Sequence, residues 1–410
     1  MAPLEPWQKV LVNGLAFLDT VHGHIACVDC HGGDQEQANK EEAHAGLIAR
    51  PSLDPQAACG DCHHNVVATQ VNSLHSTLAG YTKVLETRSV PENHEALGEM
   101  FGNHCASCHT TCGDCHVSQP HEVGGGFLSG HLFVRTPPMT RTCTACHGSR
   151  VGNEYLGQNE GLRADVHFRQ GRMTCVSCHT GAELHGQPAN CNDCHSGPVG
   201  SEMPERHHRY DGVQSPSCGS CHVTATTGQD GNAMHEQHSA DLSCQVCHSI
   251  TYSSCDDCHV AISEVTGNPF YRSGNTYLTF FIGQNPIRSG QRPYRYVPVR
   301  HVPIAPTSYE FYGDNLLPNF DALPTWAYAT PHNIQRNTPQ TESCNACHGN
   351  ADIFLTEDKV REGYVEANRS VIVPLVPPLL DEDGRPLANG LTITNGITVT
   401  NGITDTATQP

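Results

Sequence analysis

All 22 cysteines of the 410-residue chain fall into pairs of the form Cys-x-x-Cys, and every pair is followed at once by His. The first six motifs are Cys27-Cys30-His31, Cys59-Cys62-His63, Cys105-Cys108-His109, Cys112-Cys115-His116, Cys143-Cys146-His147 and Cys175-Cys178-His179. Cys191-Cys194-His195, Cys218-Cys221-His222, Cys244-Cys247-His248, Cys255-Cys258-His259 and Cys344-Cys347-His348 complete the eleven. Composition alone would give about 0.08 such motifs by chance. Two thiols three residues apart can add to the two vinyl groups of one haem, and the next residue then projects its imidazole onto the iron. The spacing predicts eleven covalent c-type haems. Zinc would need two Cys pairs converging on each ion and gives no reason for the His. A thioredoxin-like site uses one pair, and no Cys is left over for a disulfide framework.

Whether such irons conduct or catalyse depends on the sixth ligand. Seventeen histidines lie outside the motifs, enough to close every iron, whereas only five methionines lie beyond Met1. Bis-His ligation throughout is the expectation, with relatively low potentials. His64 directly follows His63 and His104 abuts Cys105, so neighbouring imidazoles can serve two adjacent haems. His44, His167 and His185 are single histidines in their gaps. These five rank first as distal ligands. His75, His131, His208, His235, His238, His301, His332 and one of the His22/His24 pair, taken as His22, rank next. His94, His121 and His207 are the expected spares.

Ten motifs lie within residues 27–259, about 23 residues for each, which leaves little room for sheets or long helices. The expected fold is mostly irregular, with short α-helices around a covalently bound haem chain. Some β-structure is expected in residues 260–343 and in the C-terminal tail. Only two residues separate His109 from Cys112, which forces two haems into contact. The expected division is a ten-haem block over 1–259, an aromatic and Pro-rich lobe with the eleventh haem over 260–350, and a haem-free tail over 351–410.

Residues 260–343 hold 13 of the 25 aromatic residues and 10 of the 27 prolines, so they read as a separate packing unit. Segments 277–282 and 295–302 have strand composition, which the prolines confine to edges or irregular structure. The lobe either covers haem and supplies His301 and His332 or packs as a side unit. The tail carries no Cys or His after His348 and ends in three hexads beginning at Asn389, Asn395 and Asn401. Alternating Ile, Leu or Val with Thr is strand-like, and Asn-Gly marks turns. Such strands either add to a neighbouring subunit's sheet edge or form a low-complexity tail.

The formal charge is −19, and each oxidised haem adds roughly one more negative charge through its propionates. Nucleic acid and anionic membrane surfaces are disfavoured as partners; cationic donors, metal ions and mineral surfaces are favoured. No stretch approaches the roughly 20 apolar residues of a membrane span, and no signal peptide is visible at the start. Haem is attached to such motifs outside the cytoplasmic membrane, so the expected location is periplasmic or extracellular.

Across residues 22–350 the chain resembles the multihaem c-type cytochromes of anaerobic respiration. Cys59-Gly60-Asp61-Cys62-His63-His64 is similar to the adjacent-histidine run of class III, cytochrome c3-like proteins, where the second His ligates a neighbouring haem. The abutting motifs from Cys105 to His116 look like the close haem pairs of multihaem cytochromes, including those that polymerise into extracellular filaments. The resemblance implies electron transfer by hopping along bis-His haems, with redox proteins or extracellular acceptors as partners and self-assembly left open. No catalytic residue is expected on this reading. The alternative is a multihaem reductase or oxidase of small nitrogen or sulfur species, which needs an iron with an open position and acid/base groups beside it.

Overall fold

Small capping residues stand directly before several cysteine pairs. Thr111 and Asp114 close a capping box at Cys112, Thr174 and Ser177 close one at Cys175, and Ser217 accepts from the Gly219 amide. Each cap fixes the start of a single helical turn. In the computed structural model such turns carry the motifs as α-helix at Cys27–His31, Cys112–His116, Cys143–Cys146 and Cys244–His248. The turn is 3₁₀ at Cys175–Ser177, Cys218–Ser220 and Cys344–Ala346. His147, His179, His222 and His348 donate their amides to the carbonyls of Cys143, Cys175, Cys218 and Cys344 at 2.8–3.0 Å. That closure puts positions i, i+3 and i+4 on one face, so both thiols and the imidazole point the same way.

The structure describes residues 4–106, 110–120, 123–186, 216–290 and 292–387, with the backbone of 392–394 and 397–399. Cys108, His109, Cys191, Cys194, His195, His121, His207, His208 and the third hexad lie outside the described residues. Short helices and small antiparallel sheets joined by irregular chain make up the rest, as composition suggested. The longest helix, Pro55–Gln70, contains the second motif and is interrupted at His63, whose φ of −110° and ψ of 32° are not helical. No helix among the described residues is long and apolar enough to cross a membrane.

Two units are present. One comprises Met1–Glu86, Glu95–Asn153 and Arg172–Pro216; the other comprises Thr87–His94, Glu154–Gly171 and Ser217–Pro410. The division differs from the one expected, since the eighth to tenth motifs group with the aromatic segment and not with the first seven. Packing explains it: Val246, inside the ninth motif, forms a buried cluster with Ile282, Phe354 and Val373. The same cluster corrects the expected tail. Leu355, Val371, Ile372 and Val373 are 0–4% exposed, so residues from 351 into the 370s belong to the core.

In the second unit β1 (Ser253–Ile262) and β2 (Pro269–Leu278) form an antiparallel hairpin. β3 (Phe281–Gln284), β4 (Tyr296–His301) and β5 (Trp326–Tyr328) form a sheet with β4 in the middle. A central strand containing Pro298 departs from the edge placement expected for proline. β5 is three residues long and pairs only with Val299 to His301, and the Pro298 carbonyl accepts from Ala329 just beyond it. The missing N–H thus falls where the ladder ends. β6 (Thr392–Thr394) and β7 (Ile397–Val399), from the first two hexads, pair with each other.

Glu154 is 1% exposed and accepts from Tyr252 Oη at 2.8 Å, the His332 amide at 2.8 Å and Arg300. Burial and the neighbouring carboxylate raise the Tyr252 phenol above its usual range. Glu154→Ala strands the Arg300 charge, and equilibrium denaturation should register a loss of about 3–5 kcal/mol for this unit.

The tenth motif departs from all the others described. Cys255, Cys258 and His259 lie on β1, opposite Thr276, Ser273 and Arg272 of β2. Three strand steps span roughly 10 Å, against roughly 5 Å for a helical turn. Here the motif runs along a strand and not around a single helical turn.

Candidate functional site

The first unit has its apolar residues inverted. Among described residues only Val67, Leu78, Leu85, Leu97, Met100, Leu128 and Met139 are buried, while sixteen large apolar side chains are exposed, Trp7, Leu15 and Val21 among them. A chain this poor in internal contacts needs another apolar body to pack on. Beside the fourth motif lies a cavity of about 700 Å³, lined in part by Leu53, Val71, Ala106 and Thr111, with Arg50 held at its edge by Asp114 at 2.9 and 3.0 Å.

Seven motif histidines each face one histidine from outside the motifs. In the first unit the pairs are His63 with His22, His31 with His131, His147 with His75 and His116 with His185, at 6.0, 5.9, 6.1 and 6.1 Å between ring centres. In the second they are His222 with His167, His248 with His235 and His348 with His238, at 6.0, 6.2 and 6.4 Å. Other ring contacts run from 3.9 Å for His22 on Phe133 to 6.1 Å for Tyr252 on Phe280, so what sets these pairs apart is that each joins a motif histidine to one from outside the motifs. Two imidazoles bound trans to one metal, each at about 2.0 Å with its ring centre about 1.1 Å further on, stand about 6.2 Å apart. The residues fit a metal between each pair.

Nδ1 is engaged in His31, His116, His248, His348, His238, His167 and His235, which leaves their Nε2 to face the gap. Among motif histidines, His31, His116, His248 and His348 meet the carbonyls of Ile48, Val134, Gln335 and Pro378 at 2.7–3.1 Å, and His179 meets Glu183 at 2.9 Å. Among the facing ones, His238 meets the Met234 carbonyl at 3.0 Å, while His167 and His235 meet Asp165 and Asp230 at 2.9 and 2.6 Å. The buried Nδ1 of His131 has no partner. Burial lowers the pKa of His22, His75, His131, His185 and His248, holding them neutral with a free lone pair. The Glu183 carboxylate raises that of His179.

The leading cysteines bring the motifs into sequence. Cys59 touches Cys112, Cys143 touches Cys175 and Cys218 touches Cys244; as thiols these contacts push Cys59, Cys175 and Cys218 up and bring Cys112 and Cys244 to about 7. Between the touching pairs, Cys30 approaches Cys59, Cys115 approaches Cys143 and Cys247 approaches Cys347. The first, second, fourth, fifth and sixth motifs therefore follow one another in one unit, and the eighth, ninth and eleventh in the other.

Several expected ligands stand elsewhere. His44 and His64 are exposed with no second ring opposite them among the described residues, and His24, the other member of its pair, is likewise exposed. His301 is 6% exposed on β4, bonded to Asp256 at 3.1 Å and packed on Tyr277 and Trp326. His104 is buried at the end of its helix, and the His332 amide is held by Glu154. Motif histidine His259 meets the Thr307 carbonyl at 3.3 Å and has no facing ring among the described residues. The orienting acids Asp165, Glu183 and Asp230 went unnoticed in the sequence, although each lies within five residues of its histidine. No protein-family model, curated protein or solved structure matches the chain.

Proposed function

We propose that the chain is an electron-transfer protein that relays electrons along c-type haems bound to its CxxCH motifs, outside the cytoplasmic membrane. The observation that carries this reading is the set of seven imidazole pairs, each spaced for one metal. When bound, haem supplies an iron that takes up and gives back one electron. The chain's own residues do the rest. Paired cysteines would fix each porphyrin, the facing histidines would close the iron to substrates through Nε2, and the Nδ1 partners hold those rings in place. Contacts from motif to motif set neighbouring sites side by side, the order a relay needs. Redox proteins or extracellular acceptors are the partners this implies, with a second copy of the chain as a further one. The reductase alternative needs an open position beside acid/base groups, and no imidazole pair provides one.

The tenth motif does not fit haem as the eight helical motifs do, and no step is assigned to it. Haem content of the purified holoprotein, from its pyridine haemochrome and intact mass, should be eleven if this segment adopts a turn on attachment and ten if it keeps the strand. Iodoacetamide should leave the cysteines of the eight helical motifs unmodified. Ferric paramagnetic resonance should be low-spin, with one class from the near-parallel rings of His22/His63 and His116/His185, at 17° and 14°. A more anisotropic class is expected from His75/His147 and His238/His348, at 84° and 78°. Alkylated thiols in those eight motifs, or mainly high-spin ferric iron, would overturn the proposal.

A further inference from the structure

The residues between the thiols of the tenth motif are both acidic, and both are buried. Asp256 is 3% exposed, Asp257 5% and His301 6%, and one ligating atom from each lies within 4.8 Å of the other two. Several polar contacts hold the two carboxylates. Asp256 Oδ1 accepts from the Asp257 amide at 3.0 Å, and Oδ2 meets His301 Nδ1 at 3.1 Å. Asp257 Oδ2 accepts from Arg361 at 2.7 Å, but Oδ1 is buried with no partner. A buried carboxylate oxygen without a donor is costly, and a native fold normally compensates it.

The surrounding backbone builds this arrangement. Asp257 has a φ of 51°, which turns the strand locally and lets adjacent carboxylates converge instead of alternating across it. β4 brings His301 to them, with Tyr277 at 4.7 Å and Trp326 at 5.3 Å from its ring centre walling off solvent. Two carboxylates against one guanidinium leave one negative charge when His301 is neutral. A bound cation would take up that charge and join β1 to β4.

We propose that Asp256, Asp257 and His301 form a site for a divalent transition cation of the Zn²⁺ or Mn²⁺ class, distinct from the haem sites. Two oxygens and an imidazole nitrogen suit such an ion, whereas Ca²⁺ takes roughly six to eight oxygens. The alternative is an ion-pair network with nothing bound, in which Arg361 and a protonated His301 balance the two acids.

The test uses full-length holoprotein treated with EDTA, desalted, and titrated with ZnCl₂ or MnCl₂. Retained Zn or Mn per chain is read by mass spectrometry, which separates both from haem iron, and the melting temperature is followed in parallel. One equivalent should survive desalting and raise the melting temperature. Asp257→Asn, which keeps shape and an oxygen for Arg361, should weaken retention at least tenfold and abolish the rise. His301→Gln provides a second variant should the first fail to fold. No tight equivalent in the unsubstituted protein, or equal retention in a folded variant, would overturn the site. An eleventh haem on Cys255 and Cys258 would reshape the strand and exclude the site, whereas haem at the eight helical motifs is unaffected by either result, so the cation site and the wider haem reading fail separately.

Discussion

Replacing His185 with Met should raise the midpoint potential of one haem by about 0.2 V while leaving haem content unchanged, because axial ligand identity moves haem potentials over roughly 0.8 V. His185 stands just after the helix Gly181–Leu184, whose cap Thr180 accepts from the Glu183 amide at 3.2 Å, so its position is well defined. Its ring lies 6.1 Å from that of His116 at 14°. A thioether donates less to ferric iron than an imidazole, so the ferrous state gains relative to the ferric one. The cysteines that anchor the haem are untouched. His44→Met provides the comparison. Sequence ranks His44 beside His185, but the structure leaves it exposed at the end of the helix Lys40–Ala43, Nδ1 bonded to the Lys40 carbonyl at 2.7 Å and no ring opposite. Spectroelectrochemical titration should therefore shift one component in His185→Met and none in His44→Met. Equal behaviour of the two variants would mean that ring pairing does not report ligation.

What the sequence disclosed depended on how far each feature reaches along the chain. A motif of Cys, Cys and His at i, i+3 and i+4 contains its own one-turn geometry, so short helices at the motifs could be expected from spacing alone, and seven of the described motifs sit on single turns with an eighth inside the longer helix Pro55–Gln70. His167 and His185 were legible because no other histidine competes within their gaps. Pairing over longer separations was not. His131 faces His31 across 100 residues, and nothing local to either residue marks the other. His64 illustrates the opposite error. Adjacency to His63 made it attractive, yet His63 is paired with His22, and the helix that resumes after the kink leaves His64 in solvent.

The tenth motif and the segment after 350 failed for a different reason, which is that tertiary packing overrode a local cue. Val260, Ile262, Phe270, Tyr271, Thr276 and Tyr277 favour a hairpin around the tenth CxxCH. The outer edge of β1 is then satisfied by Cys258 and Val260 donating to Pro303 and Ser308 at 2.8 and 3.0 Å. Absence of Cys and His after residue 348 removed any haem signal but says nothing about apolar packing. Val371, Ile372 and Val373 form part of the core through Gln284, whose amide donates to Val371 and whose side chain donates to Ile372, at 2.9 and 2.6 Å.

Asp165→Asn should raise the potential of the haem at the eighth motif by about 60 mV. Asp165 has a side-chain exposure of 2% and serves three donors: the His167 amide at 2.8 Å, His167 Nδ1 at 2.9 Å and the Ile334 amide at 2.7 Å. A carboxylate drawing on the Nδ1 proton makes the ring a stronger donor through Nε2, which favours ferric iron. An ionic acceptor is worth about 1.5–3 kcal/mol against about 1 for a neutral one. If about 1.4 kcal/mol of that difference separates the two oxidation states, a one-electron couple moves by about 59 mV. Asp230 at His235 acts in the same direction on the ninth motif, while at the eleventh both His238 and His348 meet backbone carbonyls. On the proposed haem reading, acid-oriented ligands should hold the eighth and ninth sites below the eleventh, and electrons in this unit should run downhill toward Cys344–His348. A redox titration of Asp165→Asn that leaves the low-potential components unmoved, at unchanged haem content, would remove both the tuning role and that direction of flow.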